Sequence, residues 1–165
     1  MRWFAFNGDA DGICSMVQWG LVRGIDGQTV TGVKRDIELL KKISPVEGDE
    51  IIVMDLSLAR NHSRASELCE RGFKITWFDH HLAGEAIEGL DAHIDTSSNV
   101  CTAKIVEDFL AVKSDWVQVA LHGDGLSVHS SKPELTELGE LLNYNGYGAD
   151  LDDLHFHPDV LMRLC

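Results

Sequence analysis

Apolar positions along this chain alternate between two rhythms. Short runs rich in β-branched and aromatic residues predict strands at Arg2–Phe6 (RWFAF), Thr29–Val33 (TVTGV), Glu50–Met54 (EIIVM) and Phe73–Phe78 (FKITWF). Ala92–Ile94 reads as a short fifth strand. EIIVM is almost continuously apolar, as expected of a strand covered on both faces. Between these runs the spacing becomes helical. Helices are predicted over Ile13–Arg23, closed near Gly24, over a short stretch Asp36–Ile43 ahead of Pro45, and over Arg60–Arg71. Three more follow at Val100–Val112, Asp115–His122 and Pro133–Asn143. His157-Pro158 is read as opening a last helix, with Pro158 at the first helical position. The β-α-β-α order predicts an α/β fold: an open, mainly parallel five-stranded sheet with helices on both faces.

That topology gives the acidic residues a meaning. Ligands of such sheets bind beyond the carboxyl ends of the strands. The first strand runs into Asp9 and Asp11, the third into Asp55, and the fourth into Asp79-His80-His81. All of them are therefore expected on one edge.

With 165 residues and 18.3 kDa, the chain is read as one domain over 1–165, and 143–165 as a connector toward a C-terminal substrate-binding domain it does not contain. No apolar run approaches the ~18 residues of a membrane span. Acidic residues come too early for a signal peptide, so the expected address is the cytoplasm. Four scattered cysteines without a CxxC pair read as reduced thiols. The net charge is −13, of which residues 1–82 carry −2 and residues 83–165 carry −11. Such a surface argues against holding long nucleic acid. It leaves phosphate chemistry open if metal ions supply local positive charge.

The acids fall into four clusters. Asn7-Gly8-Asp9-Ala10-Asp11-Gly12 offers two carboxylates that can converge on a hard cation from a tight turn. An EF-hand loop starting at Asp9 would need Gly sixth and Glu twelfth, and those positions hold Cys14 and Gly20. Asp55 follows four apolar residues and so sits at a buried strand end. Phe78-Asp79-His80-His81 pairs imidazoles, which suit Mn, Zn or Fe, with an acid able to fix a histidine tautomer. His122-Gly123-Asp124-Gly125 lets Asp124 approach a site closely. Each acid taken alone also reads as a helix cap. Lys34-Arg35, after the second strand, is read as a helix start that could meet a phosphate. Trp19, Trp77 and Trp116 read as core.

Together the segments DADG (9–12), VMD (53–55), FDHH (78–81) and GDG (123–125) resemble, in order, the four motifs of the DHH phosphoesterase superfamily. The resemblance covers roughly residues 3–125. NYNGYG (143–148) and LDDLHF (151–156) look like an uncharacterised bacterial subgroup. It implies a two-metal site, usually Mn²⁺, with Mg²⁺ or Co²⁺ as substitutes. Asp9 would bind one ion, Asp11, His80 and Asp124 the other, and Asp55 would bridge them. A water between the ions would attack phosphorus in line. His81 would contact the scissile phosphate or protonate the leaving group, and Asp79 would orient from behind. The implied substrate is a phosphate ester of a small nucleotide or short oligonucleotide. Pyrophosphate or polyphosphate hydrolysis and a non-catalytic metal- or nucleotide-binding module are the alternatives. Two departures stand out. Many members carry a histidine ligand four residues before the first Asp, where this chain has Ala5; Asn7, on the same strand face, could offer an amide oxygen instead. The family's smaller C-terminal domain has no match.

Overall fold

The computed structural model describes residues 1–126, 132–148 and 150–163; His129 and Cys165 lie outside them. Five strands, β1 (Arg2–Asn7), β2 (Gly27–Gly32), β3 (Glu50–Met54), β4 (Lys74–Asp79) and β5 (Asp91–Ile94), form one sheet in the order β2-β1-β3-β4-β5. Every neighbouring pair is parallel. The predicted α/β class and five-stranded parallel sheet are what the chain adopts.

Side-chain alternation along β1 sets up two cores. Phe4 and Phe6 face a cluster completed by α1 (Ala10–Arg23), α3 (Thr102–Leu110) and α4 (Trp116–Gly123). Trp3 and Ala5 face the opposite cluster, which includes Leu39, Leu40, Leu58, Ala65 and Leu68 from a 3-10 turn (Leu39–Lys42) and α2 (Leu58–Glu70). Trp77 and Trp19 are buried and Trp116 is packed against the first core. Cys14, Cys69 and Cys101 are free thiols. No helix among the described residues is long and apolar enough to cross a membrane.

The structure corrects several local readings. Asp36–Ile43 is not a helix; only the 3-10 turn at Leu39–Lys42 forms, and Lys34-Arg35 lie in a turn rather than at a helix start. α5 (Pro133–Gly148) runs past Asn143 to include the NYNGYG stretch. α6 (Leu151–Arg163) begins before His157-Pro158, so Pro158 lies inside it. A proline there forfeits one backbone bond and is tolerated when packing compensates. The packing is substantial: Leu154 and Leu161 are buried in the first core, and α6 lies against α1 and β2. The described part of 143–165, the stretch read from sequence as a connector, packs against α1 and β2 through α6.

The strand order reverses direction between β1 and β3. Crevices of open parallel sheets form at that switch point, and it is there that Asp9 and Asp55 leave the sheet.

Candidate metal centre

The backbone of the first cluster explains its glycines. A side-chain carbon on Gly12 would lie 2.1 Å from the Asn7 carbonyl oxygen, so only glycine lets α1 start directly beneath the strand end. Asp9 caps α1, its Oδ1 accepting from the Gly12 N–H at 3.1 Å. Its Oδ2 lies 2.8 Å from the Lys34 ammonium. Asn7 is buried, but its amide oxygen accepts from the Asp9 N–H (3.2 Å) and its amide nitrogen donates to the Lys34 carbonyl. The amide oxygen expected to serve as a ligand is instead spent on holding the loop.

Asp11 is fully buried in the first turn of α1. Its two oxygens accept from the Thr102 and Ala103 N–H groups, 2.7 Å each, at the start of α3. A carboxylate at a helix N-terminus is favoured by the helix dipole. Each oxygen keeps a second lone pair for another partner. Asp55 follows β3 with φ +56, a left-handed conformation that Asp and Asn adopt more readily than most residues. Its Oδ1 accepts from the Thr102 hydroxyl at 3.2 Å. Asp124 ends α4 and is buried except for an edge.

The two histidines diverge. His80 Nδ1 lies 3.1 Å from the Val100 carbonyl oxygen, which can only accept, so Nδ1 carries the proton. Its Nε2 then faces Asp55 Oδ1 (3.5 Å), Asp11 Oδ2 (3.7 Å) and Asp124 Oδ2 (3.8 Å). The half-exposed His81 lies beside it, its Nδ1 4.0 Å from Asp55 Oδ1 but bonded elsewhere. Its Nδ1 donates to Asp79 Oδ1 at 2.6 Å, and the same oxygen accepts from the His81 backbone N–H. Asp79 is fully buried beneath it.

Four carboxylates in so small a volume perturb one another. Burial, then the charges of Asp9 and Asp11, hold the Asp55 carboxyl well above its ordinary range. Burial and the same two neighbours push Asp124 up to about 7. Asp11 is raised by burial against the opposing pull of His80. Asp9 alone is lowered: burial works against its charge, but Lys34 and hydrogen bonds from Asp55, Lys34 and the Gly12 amide outweigh it. For Lys34, burial is likewise outweighed by Asp9, and the ammonium holds its proton more tightly than usual.

Two sets of ligand atoms lie within 4.8 Å of one another: those of Asp11, His80 and Asp124, and those of Asp55, His80 and His81. The first set fits a divalent ion. Its imidazole aims Nε2 inward, Asp11 is held by the Thr102 and Ala103 amides, and the buried Asp124 Oδ2 has no hydrogen-bond partner among the described residues. The Asp9 side of the cluster is already filled by an ammonium.

The site opens into a cleft of about 590 Å³. Asn7, Asp9, Lys34, Asp55, His80, His81 and Asp124 all line it, joined by Ser57, Arg60 and the Thr96–Ser98 segment. Arg35 is exposed and does not line it. Sequence reasoning missed Arg60, which sits in the first turn of α2 five residues after Asp55.

It also missed Asn143. This α5 side chain accepts from the Ala10 N–H through Oδ1 (3.1 Å) and donates through Nδ2 to the Gly123 carbonyl. It therefore ties the Asp9–Asp11 loop to the Asp124 loop. One turn later, a side-chain carbon on Gly146 would lie 2.5 Å from the Gly8 carbonyl oxygen, and the Gly146 carbonyl accepts from the Lys34 N–H. The NYNGYG stretch is thus a clamp across three loops of the site. Asn143→Ala should weaken Mn²⁺ binding by about 10–100-fold, the usual cost of losing an outer partner of a metal ligand, while the far-ultraviolet circular dichroism stays unchanged. Calorimetric titration with Mn²⁺ checks this.

No protein-family model matches the chain, and no curated protein matches it by sequence. Solved structures do resemble it. The exonuclease RecJ bound to manganese matches with a TM-score of 0.54 and 17% identity, over 94% of this chain and 50% of that one. RecJ from Thermus thermophilus in complex with Mn²⁺ matches with a TM-score of 0.52 and 18% identity, over 94% of this chain and 28% of that one. The chain shares the α/β fold of these proteins and spans half of their length or less.

Proposed function

We propose that this chain is a metal-dependent phosphohydrolase acting on a phosphate ester of a small nucleotide or short oligonucleotide. The observation that carries the reading is the orientation of His80. Its Nδ1–H is committed to a carbonyl, and its Nε2 faces the carboxylates of Asp55, Asp11 and Asp124 at 3.5–3.8 Å. A divalent cation among an imidazole nitrogen and three carboxylates would make every one of these contacts attractive. An ion of the Mn²⁺ class, with Mg²⁺ or Co²⁺ as substitutes, supplies Lewis acidity there, acidifying water and offsetting charge on phosphoryl oxygens.

The remaining work belongs to the chain. Asp11, His80 and Asp124 would hold the ion, and Asp55, 3.5 Å from His80 Nε2, would orient the attacking water. Arg60 offers a planar guanidinium to non-bridging phosphate oxygens from the cleft wall. His81 presents its free ring nitrogen at the mouth and donates a proton to the departing oxygen. Asp79 keeps that ring turned and raises its pKa through their hydrogen bond.

A cleft of about 590 Å³ suits a small ligand, and a net charge of −13 offers no extended basic track for a polymer. The manganese-bound exonuclease among the structural neighbours supports the same class of chemistry.

The test is Mn²⁺-dependent hydrolysis across a panel: bis(p-nitrophenyl) phosphate, 3′-phosphoadenosine 5′-phosphate, a dinucleotide, a cyclic dinucleotide and pyrophosphate. The expected result is ester cleavage that stops on chelation and returns with Mn²⁺. Turnover of pyrophosphate alone would move the assignment to phosphoanhydrides. A chain that neither turns over nor binds an ion would refute the reading.

A further inference from the structure

We infer that this site takes a single divalent ion, the place of a second cation being filled permanently by the Lys34 ammonium. The inference rests on the metal-dependent reading above and narrows it.

Lys34 Nζ lies 2.8 Å from Asp9 Oδ2 and 3.7 Å from Asp124 Oδ1, so it occupies the Asp9 oxygen that a second ion would need. The side chain is not a mobile surface lysine. Its backbone N–H donates to the Gly146 carbonyl, its carbonyl accepts from Asn7, and its ammonium lies 5.7 Å from the centre of the Tyr147 ring. An ammonium is a compact charge with three donors. One is engaged by Asp9, Asp124 lies at ionic-contact distance, and the ammonium also lines the cleft.

The ligands on the Asp9 side have been lost to other tasks. Asp9 Oδ1 is bound by the Gly12 amide and Oδ2 by Lys34. The Asn7 oxygen is bound by the Asp9 amide. Ala5, one pleat back on that face, is fully buried in the α2-side core and contributes nothing polar. On the other side, Asp11, His80 and Asp124 converge within 4.8 Å, with His80 Nε2 turned toward the acids. The second set, Asp55, His80 and His81, shares the His80 imidazole with the first, and its His81 Nδ1 is held by Asp79, so the cluster offers one place for a divalent ion beside one held by an ammonium. Charge points the same way. Four clustered carboxylates are largely offset by one divalent ion and one ammonium, whereas a second divalent ion must first expel Lys34.

Mn²⁺ titration by calorimetry and electron paramagnetic resonance tests this without any substrate. The wild-type chain is expected to bind one equivalent and to show the six-line spectrum of an isolated ion. Lys34→Met keeps the aliphatic stem and removes the charge. It is expected to take up a second, weaker equivalent and to show the spectrum of a spin-coupled pair, with circular dichroism verifying its fold. Two equivalents with a coupled spectrum in the wild type would overturn the inference while leaving the phosphohydrolase reading intact. A folded Lys34→Met chain that still binds one ion at unchanged affinity would also overturn it. No bound ion in either protein would instead remove the metal-dependent reading itself.

Discussion

Asp55→Asn should abolish Mn²⁺-dependent hydrolysis, by about 10³-fold or more, and at the same time make the metal-free protein more stable. The two effects have one cause. Asp55 sits buried beside Asp9, Asp11 and Asp124, and its carboxyl is raised well above the ordinary range. Without an ion, the folded chain must either keep a proton on this group or bear the repulsion. An amide avoids both. Asparagine has the same shape, can accept the same Thr102 hydroxyl bond, and tolerates the left-handed backbone at φ +56 as well as any non-glycine residue. Removing the charge from a buried cluster of this kind is worth about 1–4 kcal/mol. That corresponds to a rise in Tm of roughly 2–4 °C for each kcal/mol in a domain of this size.

The pH dependence fixes the sign independently. The folded pKa of Asp55 lies above the unfolded one, so the folded state binds the extra proton. Metal-free stability should therefore fall as pH rises above about 4, where the unfolded carboxyl begins to ionise. Asp124, raised to about 7, adds to the same decline. Asp55→Asn should flatten the curve, and saturating Mn²⁺ should reverse it in the wild type only. Thermal melts at several pH values, with and without the ion, decide the matter. A metal-free Asp55→Asn chain less stable than wild type at neutral pH would show that the carboxylate is structural.

The sequence made the sheet legible because its strands differ from its helices in period and in residue type. EIIVM, flanked by polar residues, leaves little room for another reading, and the acids at the strand ends follow once the strands are parallel. Legibility failed where tertiary contacts decide. Asn143 opens the NYNGYG stretch noted in the sequence but lies beyond the four motifs that carry chemistry; only docking of α5 brings it to Ala10 and Gly123. Pro158 reads locally as a helix start, and burial of Leu154 overrides it. Lys34 reads as a phosphate ligand because charge and position are visible in sequence. Its inward turn onto Asp9 is not, since that depends on α5 closing over the turn. Residues fixed by strand period were readable, and residues fixed by contacts between distant elements were not.

His81→Ala should lower turnover by about 10²–10⁴-fold on esters with poor leaving groups while changing Mn²⁺ affinity little. The prediction follows from the different partners of the two imidazoles. His80 faces the carboxylates, and His81 Nδ1 faces Asp79, leaving its other nitrogen at the cleft mouth. A proton donor matters in proportion to the basicity of the departing oxygen. With p-nitrophenolate, which leaves without help, the loss should shrink to about tenfold or less. A histidine that merely held the fold would reduce both substrates alike. Asp79 can be separated from it. The hydrogen bond to Asp79 raises the pKa of His81 against the opposing effect of burial. A general acid is active while protonated, so activity should fall as pH rises through that raised value. Asp79→Asn removes the carboxylate and should move the alkaline limb to lower pH, toward the ordinary histidine value near ~6.5. An alkaline limb that stays in place in Asp79→Asn and disappears in His81→Ala would leave His81 as the acid and deny Asp79 its part. A limb unmoved by either change would assign the proton to another group.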